Sequence, residues 1–170
     1  MKVLHTTIED LLLAEGFITF KVTGKSMEPM LRNNLDLVTI VKKESCMRCQ
    51  ENDVVLYKKG RKLILHRIIR VKPNDLYDIM GDNCSTIDKD VKGTDVIGVM
   101  NDFKRNGVIY NIYNSQYQDY VTRLRSCEKI RSRRKFIYDI VSKAITFLPN
   151  VLLFPTKAFL KKIIVKIIEF

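Results

Sequence analysis

DVVLYKKGRKLILHRIIRVK, residues 53–72, reads as two strands folded back on one another. Asp53–Lys58 and Lys62–Lys72 are rich in Val, Ile, Leu and Tyr, residues that fit a pleated and half-buried surface. Between them Lys59-Gly60-Arg61 offers a tight hairpin turn, with glycine free to take positive φ. Runs of the same texture lie on both sides: Phe17–Val22, Leu35–Val41, Leu76–Met80, Asp95–Met100 and Val108–Tyr113, separated by Gly, Asn, Asp or Pro. Ahead of them, Thr6-Thr7 before Ile8-Glu9-Asp10 and Leu11-Leu12-Leu13 predicts a capped short helix stopped at Gly16. The first 115 residues or so therefore predict one compact, mainly β (α+β) domain, mostly antiparallel, with a helix at its start.

Charge divides the chain of 170 residues differently. The formal net charge is +11, which at first sight suggests a nucleic-acid binder. Residues 1–120 hold 18 Lys/Arg and 16 Asp/Glu, a net of +2, whereas residues 121–170 hold 12 and 3, a net of +9. The excess belongs to the last fifty residues. There Arg123, Arg125, Lys129, Arg131, Arg133, Arg134 and Lys135 form a basic run. An Ile- and Phe-rich stretch follows, with Lys157, Lys161, Lys162 and Lys166 on one helical side.

That pattern suits a two-part anchor at an anionic membrane surface, basic side chains attracting lipid while an apolar face inserts. Packing of the tail on the β domain or on a partner is the competing reading. Nucleic acid is disfavoured because no aromatic stacking motif or recognition helix accompanies the basic run. No stretch supplies the roughly 18 uncharged apolar residues of a spanning helix. The N-terminus lacks the pattern of a secretory signal, so a cytoplasmic protein, peripheral at most to a membrane, is expected. The expected division is 1–118 for the β domain, 119–135 for a basic linker and 136–170 for a helical tail.

Three segments of the β domain hold residues able to do chemistry. One is Val22-Thr23-Gly24-Lys25-Ser26-Met27-Glu28-Pro29-Met30-Leu31, followed by Asp36-Leu37-Val38; the others are Leu65-His66-Arg67-Ile68-Ile69 and Gly81-Asp82-Asn83 with Asp88 beyond. A serine hydroxyl needs a neighbouring base to become a nucleophile, and histidine, mostly neutral at pH 7, is the usual one. A carboxylate can then orient the ring and stabilise the imidazolium. Each residue also has a plainer reading: a turn serine, a half-buried strand histidine, acids that brace a turn.

The ordered blocks GKSMEPML…DLV, LHRII and GDN resemble the signal peptidase I/LexA-like superfamily of serine peptidases over roughly residues 20–100. The histidine block is similar to the archaeal and endoplasmic-reticulum-type branch, which uses Ser-His where the bacterial type uses Ser-Lys. The resemblance implies a signal-peptidase/LexA-like β domain, barrel-like in form, that cleaves a peptide or protein precursor. It implies Ser26 as nucleophile, His66 as general base, Asp88 as supporting acid and Asp82 as a second acid near the site, with no cofactor or metal. Two departures accompany it. An acidic short helix stands where membrane-bound relatives carry a spanning helix, and Gly24 stands where many signal peptidases have a hydroxyl residue. Backbone amides at Ser26 would then serve the oxyanion. The alternative is a self-cleaving or inactive regulatory module acting through its basic tail.

Lys25 is expected to be solvated. Cys46-Met47-Arg48-Cys49 is a single C-x-x-C, short of ligands for zinc unless Cys84 or Cys127 converges on it, and is expected as a loop with reduced thiols.

Overall fold

The computed structural model describes residues 7–125. The expected basic linker beyond that point, and the tail at 136–170, lie outside the described residues. The chain divides into two compact units between Arg123 and Leu124.

The first element is helix α1, Ile8–Glu15, which starts and stops where its sequence says it should. Thr7 accepts a hydrogen bond from the Asp10 amide at 3.1 Å, and Asp10 accepts one from the Thr7 amide at 3.1 Å, a reciprocal capping box. Gly16 ends the helix in the left-handed region and donates its N–H to Leu12 at 3.1 Å.

Eight strands follow: β1 (Phe17–Lys21), β2 (Leu37–Lys42), β3 (Val54–Lys59), β4 (Lys62–Lys72), β5 (Leu76–Met80), β6 (Asp88–Lys92), β7 (Val96–Arg105) and β8 (Val108–Asn111). They form one antiparallel sheet in the order β1-β2-β7-β3-β4-β5-β6, with β8 beside β7. β1 and β6 are the ends of this order. The expected hairpin is present: Lys59 faces Lys62 across Gly60–Arg61, with Gly60 at φ 61°. A second helix, α2 (residues 115–125), begins at Asn114, whose side-chain oxygen accepts the Gln116 amide at 2.9 Å.

β3 lies inside the sheet and is covered on both faces, which explains why Val54-Val55-Leu56-Tyr57 is an unbroken apolar run. Val54 and Leu56 join a core with Leu12, Met27, Met30, Leu31, Val38, Ile40, Met100 and Phe103, to which α2 adds Tyr117 and Val121. Val55 and Tyr57 point the other way, into a smaller core with Cys49, Ile68, Tyr77, Ile79 and Val96. Because α2 packs Tyr117 and Val121 into the larger core, the β unit continues past residue 118.

β6 is a strand that its composition does not predict. Its sequence, Asp88-Lys89-Asp90-Val91-Lys92, has one apolar residue and four charges. The charges suit its position at the sheet end, where a charged strand discourages pairing with other chains.

β4 exchanges neighbours halfway along. Residues 62–67 pair with β3, and only from Arg67 onward does β5 pair on the other side. Residues 62–66 are therefore left with one edge that no described strand pairs, and β1 is likewise unpaired on the side away from β2. A groove of about 420 Å³ is lined from both edges, by Phe20 and Val22 on one side and Leu63 and Leu65 on the other, with Leu56 and Ser26 also contributing.

Candidate active site

Ser26 sits in the loop between β1 and β2, in a turn closed by the Glu28 amide on the Lys25 carbonyl (3.2 Å) and continued by Leu31 on Met27 (2.9 Å). Gly24, two residues earlier, has φ 90°, a conformation that side chains strongly disfavour, and donates its amide to Asn33 Oδ1 at 2.9 Å. Met27, Met30 and Leu31 anchor the loop from below in the larger core. Asp36, of the Asp-Leu-Val block, is fully buried and holds the far end of the loop. It receives Arg105 at 2.6 Å and the Arg32 amide at 2.7 Å, while Arg105 also reaches the Met30 carbonyl at 2.6 Å. Burial pushes the Asp36 pKa up, but the Arg105 and Arg32 contacts outweigh it and leave the carboxyl below its usual range.

His66 lies on β4 opposite Val55 and is half-buried. The tight turn after β5 brings it to the serine loop. Asn83 donates its amide to the Ser26 carbonyl at 2.8 Å and its side-chain amide to the Lys25 carbonyl at 3.1 Å. Gly81 leaves no room for a side chain. A Cβ there would lie 2.6 Å from the Ser26 carbonyl oxygen, 2.8 Å from Cys84 Sγ and 2.9 Å from His66 Nε2. The Ser26 carbonyl oxygen, Cys84 Sγ and His66 Nε2 thus all crowd the Cα of Gly81, and this close approach of the serine loop and the His66 ring to one backbone position requires glycine. Lys25 is exposed, as expected of a solvated residue.

The two aspartates named from the sequence go to different places. Asp82 is buried and accepts two parallel hydrogen bonds from Arg67, each 2.8 Å, with a third from the Tyr120 hydroxyl at 3.1 Å. Arg67 is equally buried and also binds the Tyr117 hydroxyl at 3.0 Å and the Asn52 carbonyl at 2.8 Å. Asp88, the first residue of β6, accepts hydrogen bonds from the Tyr57 hydroxyl and from Lys59 Nζ, the latter at 2.6 Å. Burial raises its pKa, but those two donors more than offset this and hold the carboxyl below its ordinary value.

Desolvation lowers the His66 pKa, and the nearby Lys59 charge acts in the same direction. The charges of Asp88 and Asp82 oppose it without prevailing. His66 Nδ1 is buried and has no hydrogen-bond partner among the described residues. The Tyr57 and His66 rings are tilted, 6.3 Å between centroids. At pH 7 the imidazole is therefore neutral and able to accept a proton.

Tyr57, Lys59, Arg67 and Arg105 support the site, and nothing in their local sequence marks them for it. Tyr57 reads as a core aromatic and the three cations as surface charges, so only their positions in the fold reveal them. Among the described residues no group of His, Cys, Asp and Glu is placed to hold a metal ion. Cys46 is exposed, while Cys49 is buried, its thiol pushed up to about 11 by desolvation first and by Asp53 second. No helix among the described residues is long and apolar enough to cross a membrane. No family model matches the chain, and no curated protein matches it.

Proposed function

We propose that the protein is a serine endopeptidase that cleaves a peptide or protein precursor, such as a signal or leader peptide, with Ser26 as nucleophile and His66 as base. The observation that carries the reading is that the serine loop, through the Ser26 carbonyl, and the ring of His66 both come up against Gly81, which puts the serine and a histidine of lowered pKa in one neighbourhood. In this scheme His66 takes the Ser26 hydroxyl proton as Ser26 attacks the scissile carbonyl, then returns it to the leaving amine. Water hydrolyses the acyl-enzyme with the same base. The Ser26 amide, which is not used to close the turn, serves the oxyanion. Asp88 supports the imidazolium through its charge, and Asp82 braces the site through Arg67.

The groove beside Ser26 supplies the substrate site. An extended peptide lying between the open edges of β1 and β4 would satisfy backbone groups on both and set alternate side chains against Phe20, Val22, Leu63 and Leu65. A signal-peptidase/LexA-like, barrel-like curvature of the sheet belongs to the same reading, as does a basic tail that holds the enzyme at an anionic membrane surface.

The test is cleavage of a synthetic peptide library, rich in small residues, followed by mass spectrometry. Ser26→Ala and His66→Ala should each lose more than about 10³-fold in activity while melting like the parent protein. Undiminished cleavage by Ser26→Ala would remove the proposal.

A further inference from the structure

Two groups hold Asp88, and neither is His66. Its two carboxylate oxygens are taken separately, one by Lys59 Nζ at 2.6 Å and the other by the Tyr57 hydroxyl. Both donors come from β3, at alternate positions ending at the hairpin turn, and they reach across to the start of β6. Tyr57 is buried in the smaller core, so its hydroxyl is a fixed post. Lys59 is more than half exposed, so its ammonium supplies charge from the solvent side.

His66 is faced by a small set of charged and titratable groups. From β3 come Tyr57 and Lys59, from β6 Asp88, from the turn after β5 Asp82 and Cys84, and from the loop after β1 Ser26. Asp82 is matched by the buried Arg67, and Cys84 Sγ lies 4.0 Å from Nε2. Burial acts most strongly on the imidazole; among the charges around it Asp88 is the largest, with Asp82 acting in the same direction and Lys59 opposing both.

We propose that Lys59 and Tyr57 are positioning residues for the base: they pin the Asp88 carboxylate on the side of His66 where the Tyr57 ring lies and offset part of its charge, which reinforces the burial that keeps His66 a proton acceptor near neutral pH. A carboxylate there without its cation would favour the imidazolium and move the acid limb of activity toward neutral pH. With the clamp in place, Asp88 remains ionised, and its charge favours the imidazolium when it forms. The role in catalysis rests on the peptidase reading above, whereas the clamp itself can be measured without any substrate.

The chain has two histidines, His5 and His66, so their ring C–H signals can be assigned by NMR with a His5→Gln variant. Titration of the full chain would follow the His66 midpoint in the parent protein, Lys59→Met, Tyr57→Phe and Asp88→Asn. Lys59→Met should raise the midpoint by about 0.5 pH unit, Tyr57→Phe should raise it by less, and Asp88→Asn should lower it. The acid limb of the kcat/KM profile should move in the same directions. A midpoint unmoved or lowered in Lys59→Met would overturn the clamp, even in a protein that cleaves peptides. Shifts of the stated signs in a protein that cleaves nothing would leave the clamp standing and remove the peptidase.

Discussion

Asp82 and Asp88 are six residues apart, the same residue type, and both were expected at the serine site, yet the fold uses them oppositely. Asp82 is sealed with Arg67, their side chains only 1% and 2% exposed, and joins the turn after β5 to β4 and α2. Asp88 sits at the sheet end, held by one buried hydroxyl and one exposed ammonium. The first is a brace whose loss affects the whole domain. The second is a local contact, shared with Tyr57 and Lys59, whose loss is expected to stay near the sheet end.

The sharpest way to break this comparison is to remove each charge and measure stability. Asp82→Asn leaves Arg67 buried and uncompensated, so urea unfolding should show a loss of about 3–5 kcal/mol. Asp88→Asn should cost less than about 1 kcal/mol, because Lys59 is already in water and the amide oxygen can still accept the buried Tyr57 hydroxyl. Equal costs would end the distinction. A smaller effect is expected between the two acids, at the point where the turn touches the serine loop. Gly81→Ala should destabilise by about 1–3 kcal/mol and also cut activity, since the Ser26 carbonyl and His66 must both give way. Full activity in that variant would show that the contact around Gly81 is dispensable.

The smallest effect concerns acid. Burial lowers the His66 pKa, so the unfolded chain binds a proton more readily than the folded one. Stability should therefore fall as pH drops below about 6.5, the unfolded value, and continue to fall until the folded His66 titrates. His66→Gln should flatten that part of the stability profile. An unchanged slope between pH 6.5 and 5 would place the titrating group elsewhere.

The same two aspartates show how far the residues could be read before the fold was known. β4 and β5 have the bounds read from their Val-, Ile- and Tyr-rich runs, and the helix ends at Thr7 and Gly16 follow from local capping chemistry. Those signals are carried by residues adjacent in the chain. β6 carries almost none, because a charged end strand has the composition of a loop. Asp88 thus has the sequence context of an acid beyond a turn, although it opens a strand. The partners of Asp82 were hidden for a different reason. Arg67 has the composition of a surface cation, and only the long-range pairing of β4, β5 and α2 buries it. Ser26 and His66 are legible as candidates, but the approach of the Ser26 carbonyl and the His66 ring to Gly81 depends on the turn after β5 and the Asn83 contacts, which no spacing reveals.

The most direct measurement is covalent. A slowly hydrolysed peptide ester, mixed with the full chain and quenched in acid, should leave an acyl group that mass spectrometry maps to Ser26. His66→Ala should accumulate none. An adduct on any other residue, or the same yield from Ser26→Ala, would contradict the account.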